Sequence, residues 1–249
     1  MLLSLLLIGL IVYFGASLQR VSGLGLGLVA GPVLAVILGP IEGIFVVNVI
    51  AVVNAFFNTV SVRADVDWKK TRLIGGVLVL GSVPAAILLN LVPVVIILAL
   101  VGGLLILALG MVTFAQDRVP FVQGRLPAVI SGIGAGFMNT LSGAAGPVLT
   151  VYGQASRWDQ RSFSATLQPI FFLAGSISVI VKIVLGTASI ENTSPWIWPI
   201  ALVAMALGII TGTWLSSHIA KSLARKFALT VALAGAISVL YKGLVGVFG

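Results

Sequence analysis

Two stretches of this chain echo one another: SGLGLGLVAGPVL, Ser22 to Leu34, and SGAAGPVL, Ser142 to Leu149. Each opens with Ser-Gly, interrupts a long apolar run with small residues, and resumes with Gly-Pro-Val-Leu. Backbone amides in hydrocarbon must be satisfied, so a helix break at membrane depth is tolerated only where protein or a watery cavity surrounds it. Glycine permits the tight turn and close backbone approach that such a break demands. Proline suits the first turn of a restarting helix, where a missing N–H costs little. Two related breaks, one in each half, predict an internally duplicated membrane protein whose discontinuous helical elements meet near the bilayer midplane.

The surrounding composition agrees. Of 249 residues, 59% are hydrophobic and 8% charged, against roughly 25% charged in soluble domains. Hydrocarbon is the main solvent, and no soluble domain fits in the remaining length. There is no cysteine, which excludes disulfides, thiolate metal sites and cysteine nucleophiles. The single histidine, His218, excludes a histidine-rich centre, so neither metal nor cofactor is expected. A net charge of +8 in a soluble protein would suggest nucleic acid. Here the charges read as topology, and the bilayer rather than nucleic acid is the expected partner. The opening MLLSLLLIGL lacks a basic leader and a cleavage site and reads as a mature membrane segment.

Apolar runs fall at 1–19, 28–38, 41–62, 73–91, 93–115, 127–155, 162–186, 196–217 and 226–247. A spanning helix needs about 20 residues, so 28–38 is too short to cross alone. Eleven of the fourteen basic residues sit in four connections: 63–72, 116–126, 156–161 and 218–226. By the positive-inside rule these are cytoplasmic. Element 1–38 then starts and ends outside, element 127–155 starts and ends inside, and both termini lie outside. Trp196 and Trp198 suit an outer aromatic belt. The expected fold is an all-α polytopic membrane protein of a bacterial-type inner (plasma) membrane. It is an inverted repeat, each half a broken or re-entrant helical element plus three transmembrane helices. Its parts are a first repeat over 1–115, a cytoplasmic linker over 116–126 and an inverted second repeat over 127–249.

A helix that restarts at a break presents unpaired amides and the positive end of its dipole. Two such ends make an anion site. The expected donors are the amides around Val29, Ala30 and Gly31 and around Ala144, Ala145 and Gly146, with the hydroxyls of Ser22 and Ser142. The alternative reading is that small residues merely permit close helix packing. Polar residues recur at an offset of 120: Gln19-Arg20 with Asn139-Thr140, and Asn48 with Gln168. They line the substrate path or bond between helices. Asn54 and Asn58 share a helix face and either line the same path or, the favoured reading, bond between helices. Arg20 is either a bidentate anion ligand or a snorkelling anchor, and Lys182 and Lys242 read as outer interfacial anchors. No Asp or Glu falls well inside a span, which favours an anionic over a cationic substrate.

The duplicated Gly-rich breaks, the following Pro-Val-Leu and the short basic loops resemble the TauE/SafE family, also called the 4-toluene sulfonate uptake permease family, over nearly the whole chain. The resemblance implies a sulfur-containing anion as substrate: sulfite, sulfoacetate or a taurine-related sulfonate. It also implies a site from Ser22, Gly23, Gly31 and Pro32 with Ser142, Gly143, Gly146 and Pro147. A secondary carrier working by alternating access is the leading expectation. A small-anion channel and a membrane phosphatase of lipid-linked phosphate are the alternatives, the last lacking an acid or His cluster. No enzyme activity is expected, and the small residues on 226–247 are compatible with a homodimer.

Overall fold

The computed structural model describes residues 2–24, 26–114 and 120–248. Part of the linker 116–126, including Arg118, and Gly25 of the first break lie outside them. Eleven α-helices follow in order: α1 (Leu2–Ser22), α2 (Leu26–Leu38), α3 (Pro40–Val62), α4 (Trp68–Gly75), α5 (Leu78–Leu91), α6 (Val94–Phe114), α7 (Arg125–Ser142), α8 (Gly146–Ala155), α9 (Gln160–Val184), α10 (Ile197–Leu215) and α11 (Lys221–Phe248). No strand occurs among the described residues. Seven stretches are long and apolar enough to cross a membrane: Leu2–Ser22, Pro40–Asp65, Trp68–Leu91, Val94–Thr113, Gln160–Val184, Ile197–Leu215 and Lys221–Val247. The chain is a multi-pass membrane protein by this measure.

Local chemistry explains most boundaries. Asp67 accepts from the Lys69 and Lys70 amides, both at 3.0 Å, and so caps α4; Asp159 accepts from the Ser162 amide at 2.9 Å and caps α9. Pro40 opens α3. α1 and α7 end alike. The amide of Gly23 donates to the Gln19 carbonyl at 2.9 Å, and that of Gly143 to the Asn139 carbonyl at 2.8 Å. Both glycines are left-handed, at φ 77° and 71°, the conformation that closes a helix C-terminus and that side chains resist.

Shifted by 120 residues, the ends of α1 and α7 (Ser22, Ser142), the starts of α2 and α8 (Leu26, Gly146) and the starts of α3 and α9 (Pro40, Gln160) coincide. α1 packs along α10, α6 along α11, α5 along α7 and α3 along α9, while α2 wedges between α3 and α11. The break of each half is thereby enclosed by helices of both halves.

The broken element over 1–38 is a helix of membrane length, α1, followed by the short return α2. Several expectations need correcting. The basic residues Lys221, Arg225 and Lys226 lie in the first turns of α11, Arg161 in that of α9 and Arg125 in that of α7, not in loops. The run 73–91 is broken at 76–77 between α4 and α5. Lys182, expected at the interface, is fully buried. Lys242 is exposed and donates to the Val36 carbonyl at 3.3 Å.

Candidate functional site

The two breaks touch. A Cβ added at Gly27 would overlap the Gly143 carbonyl, and one at Gly31 would lie 2.5 Å from the Ser142 carbonyl oxygen. The return helix α2 can therefore lie against the end of α7 only because these positions carry no side chain. Beside this crossing is a small cavity of about 20 Å³, lined by Gln19, Leu26, Gly27, Leu28, Asn139, Gly143, Ala144, Ala145 and Gly146, with Ala51 and Phe171. That is room for about one water molecule.

Both helix starts border this cavity, but not in the register that the Gly-Pro pairs suggest. α8 begins at Gly146, with Pro147 in its first turn as expected. α2 begins at Leu26, five residues before Gly31, so Pro32 lies inside the helix. The amides without a helical partner at the first break are thus those of Leu26, which the Gln19 side chain caps, Gly27 and Leu28, not those of Val29, Ala30 and Gly31. The reason is length: five more residues separate Ser-Gly from Gly-Pro in the first motif, while both helices resume at the same distance from their glycine caps. Pro32 instead removes an internal hydrogen bond and leaves the Leu28 carbonyl, at the cavity, without its helical partner. Gly27 was missed for the same reason; the repeat offset, applied from Ser22 and Ser142 rather than from the Gly-Pro pairs, matches Gly27 to Pro147 in the first turn of α8 and was the available signal.

Ser22 and Ser142 serve their own helices. The Ser22 hydroxyl donates to the Leu18 carbonyl at 2.7 Å and accepts from the Leu24 amide at 3.2 Å; the Ser142 hydroxyl donates to the Met138 carbonyl at 2.8 Å. Neither offers its proton to the cavity.

The polar residues assemble into two clusters. In the first, Gln19 Nε2 donates to Gln168 Oε1 at 2.9 Å, and Gln19 Oε1 accepts from Asn54 Nδ2 at 2.8 Å and from the Leu26 amide. Gln19 thereby caps α2 from the end of α1. Next to it, Arg20 donates from Nη1 to Asn58 Oδ1 at 3.2 Å and Ser61 Oγ at 2.7 Å, and from Nε to Thr213 Oγ1 at 3.0 Å. Arg20 is held by α3 and α10 rather than free to snorkel. In the second cluster, Asn139 Nδ2 donates to Asn48 Oδ1 at 3.2 Å and Ser178 Oγ at 3.0 Å, and Thr140 and Ser178 share a 2.7 Å hydroxyl bond. At the offset of 120, Gln19–Gln168 matches Asn139–Asn48, and Arg20–Asn58 matches Thr140–Ser178.

A vestibule of about 1050 Å³ leads from the basic connections to the first cluster. Arg20, Arg161, Lys221, Arg225 and Lys226 line it, against only Asp65 and Asp159, and Gln19, Gln168, Ser22 and Gly23 lie at its walls. Gln19 borders both the vestibule and the small cavity, so the Gln19–Gln168 pair stands between them. Arg161 pairs with Asp65 at 3.0 Å, the one ion pair among the described residues; Arg20 therefore carries an uncompensated charge. Low-dielectric walls with one sign of charge concentrate the opposite ion. Among the described residues no group of three or more His, Cys, Asp or Glu side chains is placed to hold a metal.

An all-helical membrane bundle with two touching helix breaks and a basic vestibule defines a class, the membrane transporters with discontinuous helices. Within it, the family model for the sulfite exporter TauE/SafE matches residues 5–240. The chain belongs to that family of membrane transporters of sulfite-type anions. Searches of curated proteins and of solved structures each returned no match.

Proposed function

We propose that this protein is a secondary carrier for a sulfur oxyanion or a small organosulfonate, with sulfite and sulfoacetate as first candidates. It works by alternating access, two inverted repeats moving about the touching breaks. The observation that carries this reading is that one residue, Gln19, closes the small cavity, caps α2 and forms the end wall of the basic vestibule. The anion enters by the vestibule, drawn by Arg20 and the α11 cations. It reaches the break amides when the Gln19–Gln168 bond opens. Amides and neutral donors from two helix ends suit an oxyanion, which offers only acceptors.

The other half of the path supports a carrier over a channel. Beyond the cavity, Asn48, Thr140 and Ser178 are fully buried, a packed arrangement that fits a carrier closed on one side in this conformation. In the membrane we take the basic connections as cytoplasmic and both termini as outer, in keeping with the charge distribution.

Melting temperature of the purified protein against sulfite, sulfate, sulfoacetate, taurine, acetate and phosphate tests the site, since a ligand of the folded state stabilises by mass action. A shift confined to sulfite or sulfonates, with saturable flux of the same anion in proteoliposomes, is expected. Ohmic currents in planar bilayers would instead establish a channel.

A further inference from the structure

The second polar cluster ends in a buried amine that no group of the fold partners. Lys182 is fully buried and its Nζ has no hydrogen-bond partner. It lies one helical turn beyond Ser178, on the same face of α9, and side chains on a helix lean back toward its N-terminus. Two more buried polar atoms nearby in the chain or cluster lack partners: Nδ2 of Asn48 and Oγ1 of Thr187. Thr187 follows α9 in a loop that folds back over it, the Thr187 and Ala188 amides donating to the Lys182 carbonyl at 2.8 and 3.4 Å.

A buried amine without a partner is among the costliest arrangements a fold can hold. Inside a membrane bundle such residues sit on ion or substrate pathways. No carboxylate pairs with Lys182, since Arg161–Asp65 is the one ion pair among the described residues. The unpaired groups on Lys182 and Asn48 are both donors, which matches an acceptor-only ligand. The correspondence at 120 residues adds a second argument. By that offset Arg20 falls on Thr140 and Lys182 on Val62, which lines the vestibule, so each cluster holds one basic residue without a carboxylate partner, at a different position of the repeat.

We propose that Lys182, with Asn48, Asn139, Thr140 and Ser178, forms a second anion-binding station, on the side of the breaks away from the vestibule. It rests on the carrier reading above. The anion leaves the break amides past Asn139, which lines the small cavity, and Lys182 receives it before it exits at the loop carrying Thr187. In the conformation described here this side is shut and the station unfilled by any protein group.

The test is flux of radiolabelled sulfite in proteoliposomes, with melting temperature read with and without sulfite, for wild type, Lys182→Met, Lys182→Arg and Ser178→Ala. Lys182→Met should cut flux at least tenfold while melting no lower than wild type, because an unpartnered buried amine has been replaced by an apolar side chain of similar length. Its sulfite-induced shift should persist, since Arg20 is untouched. Lys182→Arg should keep several times more flux than Lys182→Met, and Ser178→Ala, which alters no charge, should slow flux three- to tenfold. Lys182→Met flux within twofold of wild type overturns the station. So does a loss of flux that Lys182→Arg shares fully and that comes with a lowered melting temperature in both, which marks a structural lysine. If Lys182→Met does not fold, unchanged flux in Ser178→Ala overturns it. If wild type shows neither flux nor a shift with sulfite, the carrier reading has failed and the station with it.

Discussion

Gln19 is the residue on which the site depends most. Its amide satisfies the first amide of α2, Asn54 and Gln168 together, and a buried donor left without a partner costs about 1–3 kcal/mol. Gln19→Leu should lower stability by an amount in that range, seen as a lower melting temperature, and reduce flux further than stability alone explains, measured by differential scanning fluorimetry and proteoliposome uptake. The glycines divide sharply. Gly27→Ala drives a methyl into the Gly143 carbonyl and should yield no monodisperse protein on size-exclusion chromatography. A Cβ at Gly146 meets the Phe171 ring at 3.6 Å, an ordinary contact. Gly146→Ala should therefore fold and melt near wild type, and Gly146→Leu should fold but fill the cavity and abolish flux.

At the scale of elements, the two return helices differ in where their proline falls. Pro147 is in the first turn of α8, where its missing N–H is harmless, whereas Pro32 is inside α2 and unpairs the Leu28 carbonyl. Interior proline costs a helix about 3 kcal/mol, so its presence one turn past Leu28, which lines the cavity, points to a use for the freed carbonyl or for a weakened helix. Pro32→Ala should raise the melting temperature while slowing flux; Pro147→Ala should change the melting temperature little. Either result is read in one fluorimetric scan and one uptake assay. The packing of α2 on α11 also relies on Gly235, where a Cβ would lie 2.7 Å from that of Pro32.

Across the whole molecule, the vestibule is electropositive on the side of the basic connections. Replacing Lys221 and Arg225 together by Gln should weaken apparent sulfite affinity several-fold at low ionic strength. The difference should shrink as the Debye length falls to about 8 Å at physiological salt, as read from flux at stepped salt concentrations. Because the chain has no cysteine, single cysteines report sidedness cleanly. Lys221→Cys should be alkylated by an impermeant reagent from the cytoplasmic side, and Glu191→Cys from the outer side.

The residues alone determined that this chain lives in a bilayer, that it breaks twice after Ser-Gly, and which ends of its helices carry the positive charge. Those properties are local: hydrocarbon selects apolar runs, and a left-handed cap selects Gly23 and Gly143 whatever lies around them. Tertiary structure alone decided that α2 resumes at Leu26 and not at Gly31, because capping by Gln19 and contact with Gly143 fix that start across the fold. It also decided that Ser22 and Ser142 bond their own helices, that Arg20 is held by α3 and α10, and that Lys182 is enclosed rather than at an interface. A polar side chain in an apolar run reads the same whether it meets lipid headgroups, a neighbouring helix or a substrate path; only the packing of α3 on α9 and of α1 on α10 tells them apart.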